Sequence, residues 1–87
     1  MKIIIVGCGK VGYALAEQLG DEGHDITVVD SNEEKIEKAI STLDVQGVVG
    51  NGTTFATLSD AGIKNSDLLI AVTARDEVNL LCCLMAK

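Results

Sequence analysis

Eighty-seven residues, 47% hydrophobic and 23% charged, make one domain or part of one and exclude a disordered chain. Thirteen acidic against seven basic residues leave a net charge of −6, and two aromatics, Tyr13 and Phe55, are too few to stack bases, so nucleic acid and anionic lipid are poor partners. The longest apolar run, Leu80 to Ala86, is far shorter than the roughly 20 residues that cross a bilayer, which disfavours direct membrane insertion. Three cysteines, an odd count with two adjacent, do not make a disulfide framework and fit a reducing cytoplasm better.

Met1-Lys2 leads straight into Ile3-Ile4-Ile5-Val6 and Gly7, without the pattern of a secretory leader. An unbroken β-branched run ending at glycine predicts a strand covered on both faces, as in a parallel sheet. The period then changes. Val11, Ala14, Leu15 and Leu19 share one face of a helix over Lys10 to Leu19, with Gly20 and Gly23 flanking its end. Ile26 to Val29 is a second strand, ending in Asp30. Ser31 caps a second helix, with Glu34 completing an S-x-x-E capping box and Ile36, Ala39, Ile40 and Leu43 as the buried stripe. Val45 to Val49 reads as a third strand and Gly50-Asn51-Gly52 as a turn. Thr53 or Thr54 caps a short helix through Ala61, ended by Gly62. Leu68 to Val72 is a fourth strand. Asp76 to Lys87 reads as a last helix, with acids in its first turn and Lys87 in its last.

The alternation is βαβαβαβα. Right-handed crossovers make it a doubly wound parallel α/β sheet, Rossmann-like, with expected strand order 3-2-1-4. The last segment is apolar all round, whereas a surface helix needs a polar face. That makes 1–87 the expected front part of a larger domain, truncated on its C-terminal side; the alternative is a complete small domain that hides the helix in a dimer.

Gly7-Cys8-Gly9-Lys10-Val11-Gly12 fits G-x-G-x-x-G, placed after a strand and opening a helix. Gly7 serves the tight turn, Gly9 the approach of a pyrophosphate, and Gly12 close packing of helix on strand. Backbone N–H groups at the helix start, aided by its dipole, suit phosphates. Asp30 ends the next strand, where a carboxylate accepts from both ribose hydroxyls. Ser31 and Asn32 follow it, with no arginine to receive a 2′-phosphate, which disfavours NADP. Lys10 either adds a point charge to a phosphate or is simply solvated. Cys8 is a small spacer whose backbone N–H serves the loop, although a helix start can lower a thiol pKa. At the tip of the fourth strand, Thr73 and Ala74 can line the nucleotide cleft with backbone groups, and Arg75 can reach a phosphate or a neighbouring subunit. Asp76 and Glu77 also read as plain helix-start acids. His24 is a surface turn residue, and the adjacent Cys82 and Cys83 are core residues rather than a redox or zinc pair. Nothing resembles a catalytic set.

Gly7 to Gly12, Asp30, Gly50-Asn51-Gly52-Thr53, Asp60-Ala61-Gly62-Ile63, Asp67 and Ile70 to Asn79 together resemble the N-terminal part of a TrkA-type domain, the RCK/KTN nucleotide-binding module of potassium channels and uptake systems. The resemblance covers the whole chain. It implies binding of NAD(H) or ATP/ADP and assembly into a homo-oligomer, a dimer or ring. It also implies a membrane-embedded potassium transporter or channel subunit as partner, with the domain cytoplasmic and peripheral to the inner face of the membrane. Carried onto this sequence, Gly7 to Val11 hold phosphates and Asp30, flanked by Ser31, the ribose. Asn51, beside Gly52, stands where the family often has an acid against the nucleobase. Thr73 and Ala74 line the cleft, and Arg75 and Glu77 lie at its rim. Two other classes also fit the glycine loop: the cofactor domain of an NAD-dependent dehydrogenase or reductase lacking its catalytic part, and a structural dimerisation unit with a vestigial cleft.

Overall fold

The computed structural model describes residues 1–50, 62 and 65–72, together with the backbone course of 78–81. Its elements are β1 (Lys2–Val6), α1 (Lys10–Asp21), β2 (Asp25–Asp30), α2 (Glu33–Thr42), β3 (Gln46–Val49), β4 (Leu68–Val72) and β5 (Val78–Leu81). The strand order is β3-β2-β1-β4-β5. The first four strands run parallel in the expected 3-2-1-4 order, and β5 is antiparallel to β4.

β1 is central because its side chains are apolar in both directions. It pairs with β2 on one side and β4 on the other, and Ile3, Ile4 and Ile5 are buried on alternate faces. Ile3, Ile5, Ile26, Val28 and Ile70 form one core with Ala16 of α1 and Ile36 and Ala39 of α2. Ile4, Val29 and Leu69 form a second, with Val6 and Val48 packed against it. Each fully buried isoleucine contributes roughly 1.5–3 kcal/mol of transfer free energy. Asp67 fastens the amino ends of β1 and β4: its carboxylate accepts from the Lys2 amide at 2.9 Å, and its own amide donates to the Lys2 carbonyl at 2.8 Å.

Four expectations are corrected. Ala14 is exposed, and Gly12 and Ala16 form the buried face of α1, because the helix lies on the sheet through its smallest residues. Ile40 is also exposed; it leans over β3, where a Cβ on Gly47 would sit 2.8 Å from its Cδ1 and 2.6 Å from Ile36 Cγ2. Only glycine at 47 lets α2 lie that close to the edge strand. The cap of α2 is Asn32, not Ser31. Finally, 78–81 is a strand rather than part of a helix. A short apolar run without period suits either state. Here the open edge of β4 offers backbone partners, and Val72↔Val78 sets the antiparallel register. The expected helix from Thr53 or Thr54 to Ala61, the rest of Asp76 to Lys87, and Cys82 and Cys83 lie outside the described residues; Gly62 does take the left-handed φ, +87°, expected of a residue ending a helix.

Candidate functional site

β1 ends at Val6, and the Gly7 amide donates to the Val29 carbonyl at 2.6 Å, holding the loop against β2. Gly7 has φ +101°, and a Cβ there would lie 2.7 Å from the Val72 carbonyl oxygen. Both facts demand glycine. They also show that the chain leaves β4 alongside the loop. A Cβ on Gly12 would overlap the Gly7 carbonyl oxygen, so its absence sets the approach of α1 to β1. Gly9 is different: among the described residues nothing lies within 4 Å of where its Cβ would be. Neither fold nor packing needs glycine there, and the open space lies over the start of α1.

Gly9 is the N-cap of α1, without a side-chain cap and with no acid in the first turn. The amides of Gly9, Lys10 and Val11 belong to the four that a helix leaves without an internal partner, and no described residue accepts from them. Beside them stands Asp30, half-buried. Its Oδ2 accepts from the Cys8 amide at 2.7 Å and its Oδ1 from the Asn32 amide at 2.8 Å. A carboxylate has about four acceptor positions, so each oxygen retains one. The carboxyl group therefore faces the loop, at the carboxyl edge where the strand order reverses.

Gly7, Cys8, Gly9, Lys10, Val11, Gly12 and Asp30 are thus brought together. Lys10 is exposed. Ser31 is exposed as well, and makes no side-chain hydrogen bond to a described residue. Asn51, Gly52, Thr73, Ala74, Arg75 and Glu77 lie outside the described residues. Cys8 departs from expectation in one way: its amide is committed to Asp30. Its thiol is buried in the core, 3.7 Å from the Lys35 carbonyl, as suits a small spacer. Burial first, and the nearby Asp30 charge second, push its pKa up from the ordinary value, against a smaller pull from Lys35 and Lys38. The helix start does not activate it. Asn32 is the residue that sequence reasoning missed. Its side chain accepts from the Glu34 and Lys35 amides at 2.9 and 3.3 Å. The signal was present in Asp30-Ser31-Asn32, since an Asp side chain readily bonds the amide two residues on.

A concavity of 640 Å³ lies at the opposite, amino edge of the sheet, lined among others by Lys2, His24, Asp25, Asp44, Gln46 and Asn65. Among the described residues no convergent set of groups forms there. His24 sits in a surface turn, with Nε2 4.0 Å from Glu22 Oε1. Amides without a described acceptor and a carboxylate converge at the loop instead, which makes the loop the candidate site.

A family model, the TrkA-N domain, matches residues 3–87. The Trk system potassium uptake protein TrkA of Azorhizobium caulinodans is 47% identical over 83 residues, covering 95% of this chain and 18% of that protein. The Trk system potassium uptake protein TrkA homolog of Methanothermobacter thermautotrophicus is 40% identical over 87 residues, covering the whole of this chain and 40% of that protein. The chain thus spans less than half the length of these relatives. Among solved structures, the Shewanella denitrificans Kef CTD in AMP-bound form matches with a TM-score of 0.68 and 23% identity, covering 79% of this chain and 40% of that one. That likeness shows a shared fold. With the family model matching nearly end to end, the chain belongs to the TrkA-N domain family.

Proposed function

We propose that the chain is a cytosolic nucleotide-binding regulatory domain of a potassium uptake or channel system, and not an enzyme. The observation that carries the reading is the open start of α1. Three amides without acceptors among the described residues border the space over Gly9 that no described residue fills, and they stand beside a carboxylate whose described donors leave lone pairs unused. The phosphates of a nucleotide would lie on Gly9, Lys10 and Val11, since the Cys8 amide already serves Asp30. The ribose hydroxyls would donate to the remaining positions on Asp30. Thr73 and Ala74 would line the cleft, Asn51 would meet the base, and Arg75 and Glu77 would stand at the rim. The names of the relatives support potassium uptake, and the AMP-bound neighbour supports an adenine nucleotide. NAD(H), ATP and ADP all carry the same adenosine diphosphate group.

In this reading 1–87 is the front part of a longer domain, paired with copies of itself beneath a membrane-embedded potassium transporter or channel. Among the described residues no helix is long and apolar enough to cross a membrane, in keeping with a peripheral place. Regulation requires that the nucleotide bind one arrangement of the paired domains better than another, and the ratio of affinities limits the bias passed to the pore.

Calorimetry with NADH, NAD, ATP and ADP tests the reading. Binding of at least one is expected, and silence with all four contradicts it. Asp30→Ala removes charge-assisted bonds worth about 1.5–3 kcal/mol each, so affinity falls at least roughly tenfold. Asp30→Arg is expected to favour NADPH. An unchanged nucleotide profile in both variants takes Asp30 out of the site.

A further inference from the structure

We propose that Asp30 is also a positioning residue, one that ties the glycine loop to the first turn of α2 so that the two respond to a phosphate-bearing ligand as one unit. The response to ligand rests on the reading of the loop given above; the tie in the free protein does not.

The geometry is that of a strut. The two carboxylate oxygens accept from amides on different segments, Cys8 in the loop after β1 and Asn32 at the start of α2, at 2.7 and 2.8 Å. A second link runs parallel to the first, from the Cys8 thiol to the Lys35 carbonyl at 3.7 Å. Asn32 in turn holds the Glu34 and Lys35 amides. The Asp30 carbonyl accepts from the Gly50 amide at 3.0 Å, which brings the exit of β3 to the same residue. No described lysine or arginine pairs with Asp30, so its charge is held by backbone amides, and such bonds are short and strong. A phosphate drawing on Gly9, Lys10 and Val11 would shift the loop by tenths of an ångström. The Cys8–Asp30–Asn32 chain carries that shift to Glu34 and Lys35, because a packed core leaves little slack between them.

Residue-resolved amide exchange on the full chain, wild type and Asp30→Asn, with and without inorganic pyrophosphate, tests this. Pyrophosphate has no ribose, so the acceptor role of Asp30 toward a sugar is silent. In the free wild type, Cys8 and Asn32 should exchange on the order of tenfold or more slower than Gly9 and Lys10. In Asp30→Asn that protection falls, while the amide of Ala16, inside α1, keeps its own and reports an intact fold. Pyrophosphate should move the Gly9, Lys10 and Val11 resonances in both proteins, and those of Glu34 and Lys35 in the wild type alone. Equal movement of Glu34 and Lys35 in the variant overturns the coupling. If Cys8 and Asn32 exchange as fast as Gly9 while pyrophosphate still binds, the tie falls and the binding site stands. If pyrophosphate moves nothing while Cys8 stays protected, the phosphate site and the transmission fall and the tie stands. Should the variant not fold, the wild-type contrast of Cys8 with Gly9 still decides whether the tie exists.

Discussion

The starts of α1 and α2 both face the carboxyl edge of the sheet, yet they are finished in opposite ways. α2 is closed by its own residues: Asn32 accepts from two amides, and Glu33 and Glu34 complement the positive end of the helix. α1 begins at a glycine, with no side-chain cap and no acid in its first turn. A helix that only had to fold would gain a few tenths of a kcal/mol from an Asn or Ser at that position. In the proposed reading, leaving α1 open keeps its amides for an anion from outside the chain. The contrast sets a helix start closed by its own residues against one left open, and it can be probed at either end.

The largest effect is expected at Gly12. A Cβ there meets backbone, which cannot swing aside, so Gly12→Ala should cost about 3 kcal/mol or more in urea unfolding. Gly7→Ala should follow at about 1–3 kcal/mol, from its left-handed φ and the Val72 carbonyl. Wild-type midpoints for both would mean that α1 and the loop do not approach β1 and β4 so closely. At the closed helix, Asn32→Ala should lower stability by about 1 kcal/mol. It should leave ADP affinity nearly unchanged, because alanine keeps the amide that Asp30 uses. Ser31→Ala should change unfolding by less than about 0.5 kcal/mol. The reverse ranking would return the cap to Ser31.

The smallest effect concerns pH. The Cys8 thiol is raised above its ordinary 9.0 in the folded protein. The folded state therefore keeps this proton where the unfolded state loses it. Its contribution is complete below the unfolded value and declines as pH rises past about 9 toward the folded value. Cys8→Ala should be less stable at neutral pH, from the lost packing, and should flatten that alkaline decline. Cys82 and Cys83 are present in both proteins and cancel in the comparison. An identical slope would place the thiol in water.

Much of this was legible from residue order, for reasons that differ by element. β1, β2 and β4 show as apolar runs because both sheet faces are covered, and the glycine loop shows because Gly7 and Gly12 answer local demands of the fold. The 3-2-1-4 order is that of the doubly wound fold to which right-handed crossovers and the glycine loop together point. Legibility fails where two local solutions compete. Ser31 and Asn32 can each cap a helix, and the choice falls to Asn32 because the Asp30 carboxylate takes its amide. The run through Leu80 has no period, so its pairing with β4 had to come from the sheet. The bond from Asp30 to Cys8 joins two segments distant in sequence, and no spacing rule reveals it. Ala14 and Ile40 fit helical stripes yet lie exposed, because Gly12, Ala16 and Gly47 draw the helices in along slightly different faces.

The most direct test is the affinity of Gly9→Ala for ADP, measured by calorimetry beside the wild type, with unfolding followed on the same samples. Gly9 has φ −77° and no described residue where a methyl would go, so the variant should stay folded, at a cost of about 1 kcal/mol for alanine at a helix cap. The methyl would stand where the proposed site puts the phosphates, and ADP should bind at least roughly tenfold more weakly, or about 1.4 kcal/mol. Full affinity in a well-folded Gly9→Ala would show that the open start of α1 holds no nucleotide.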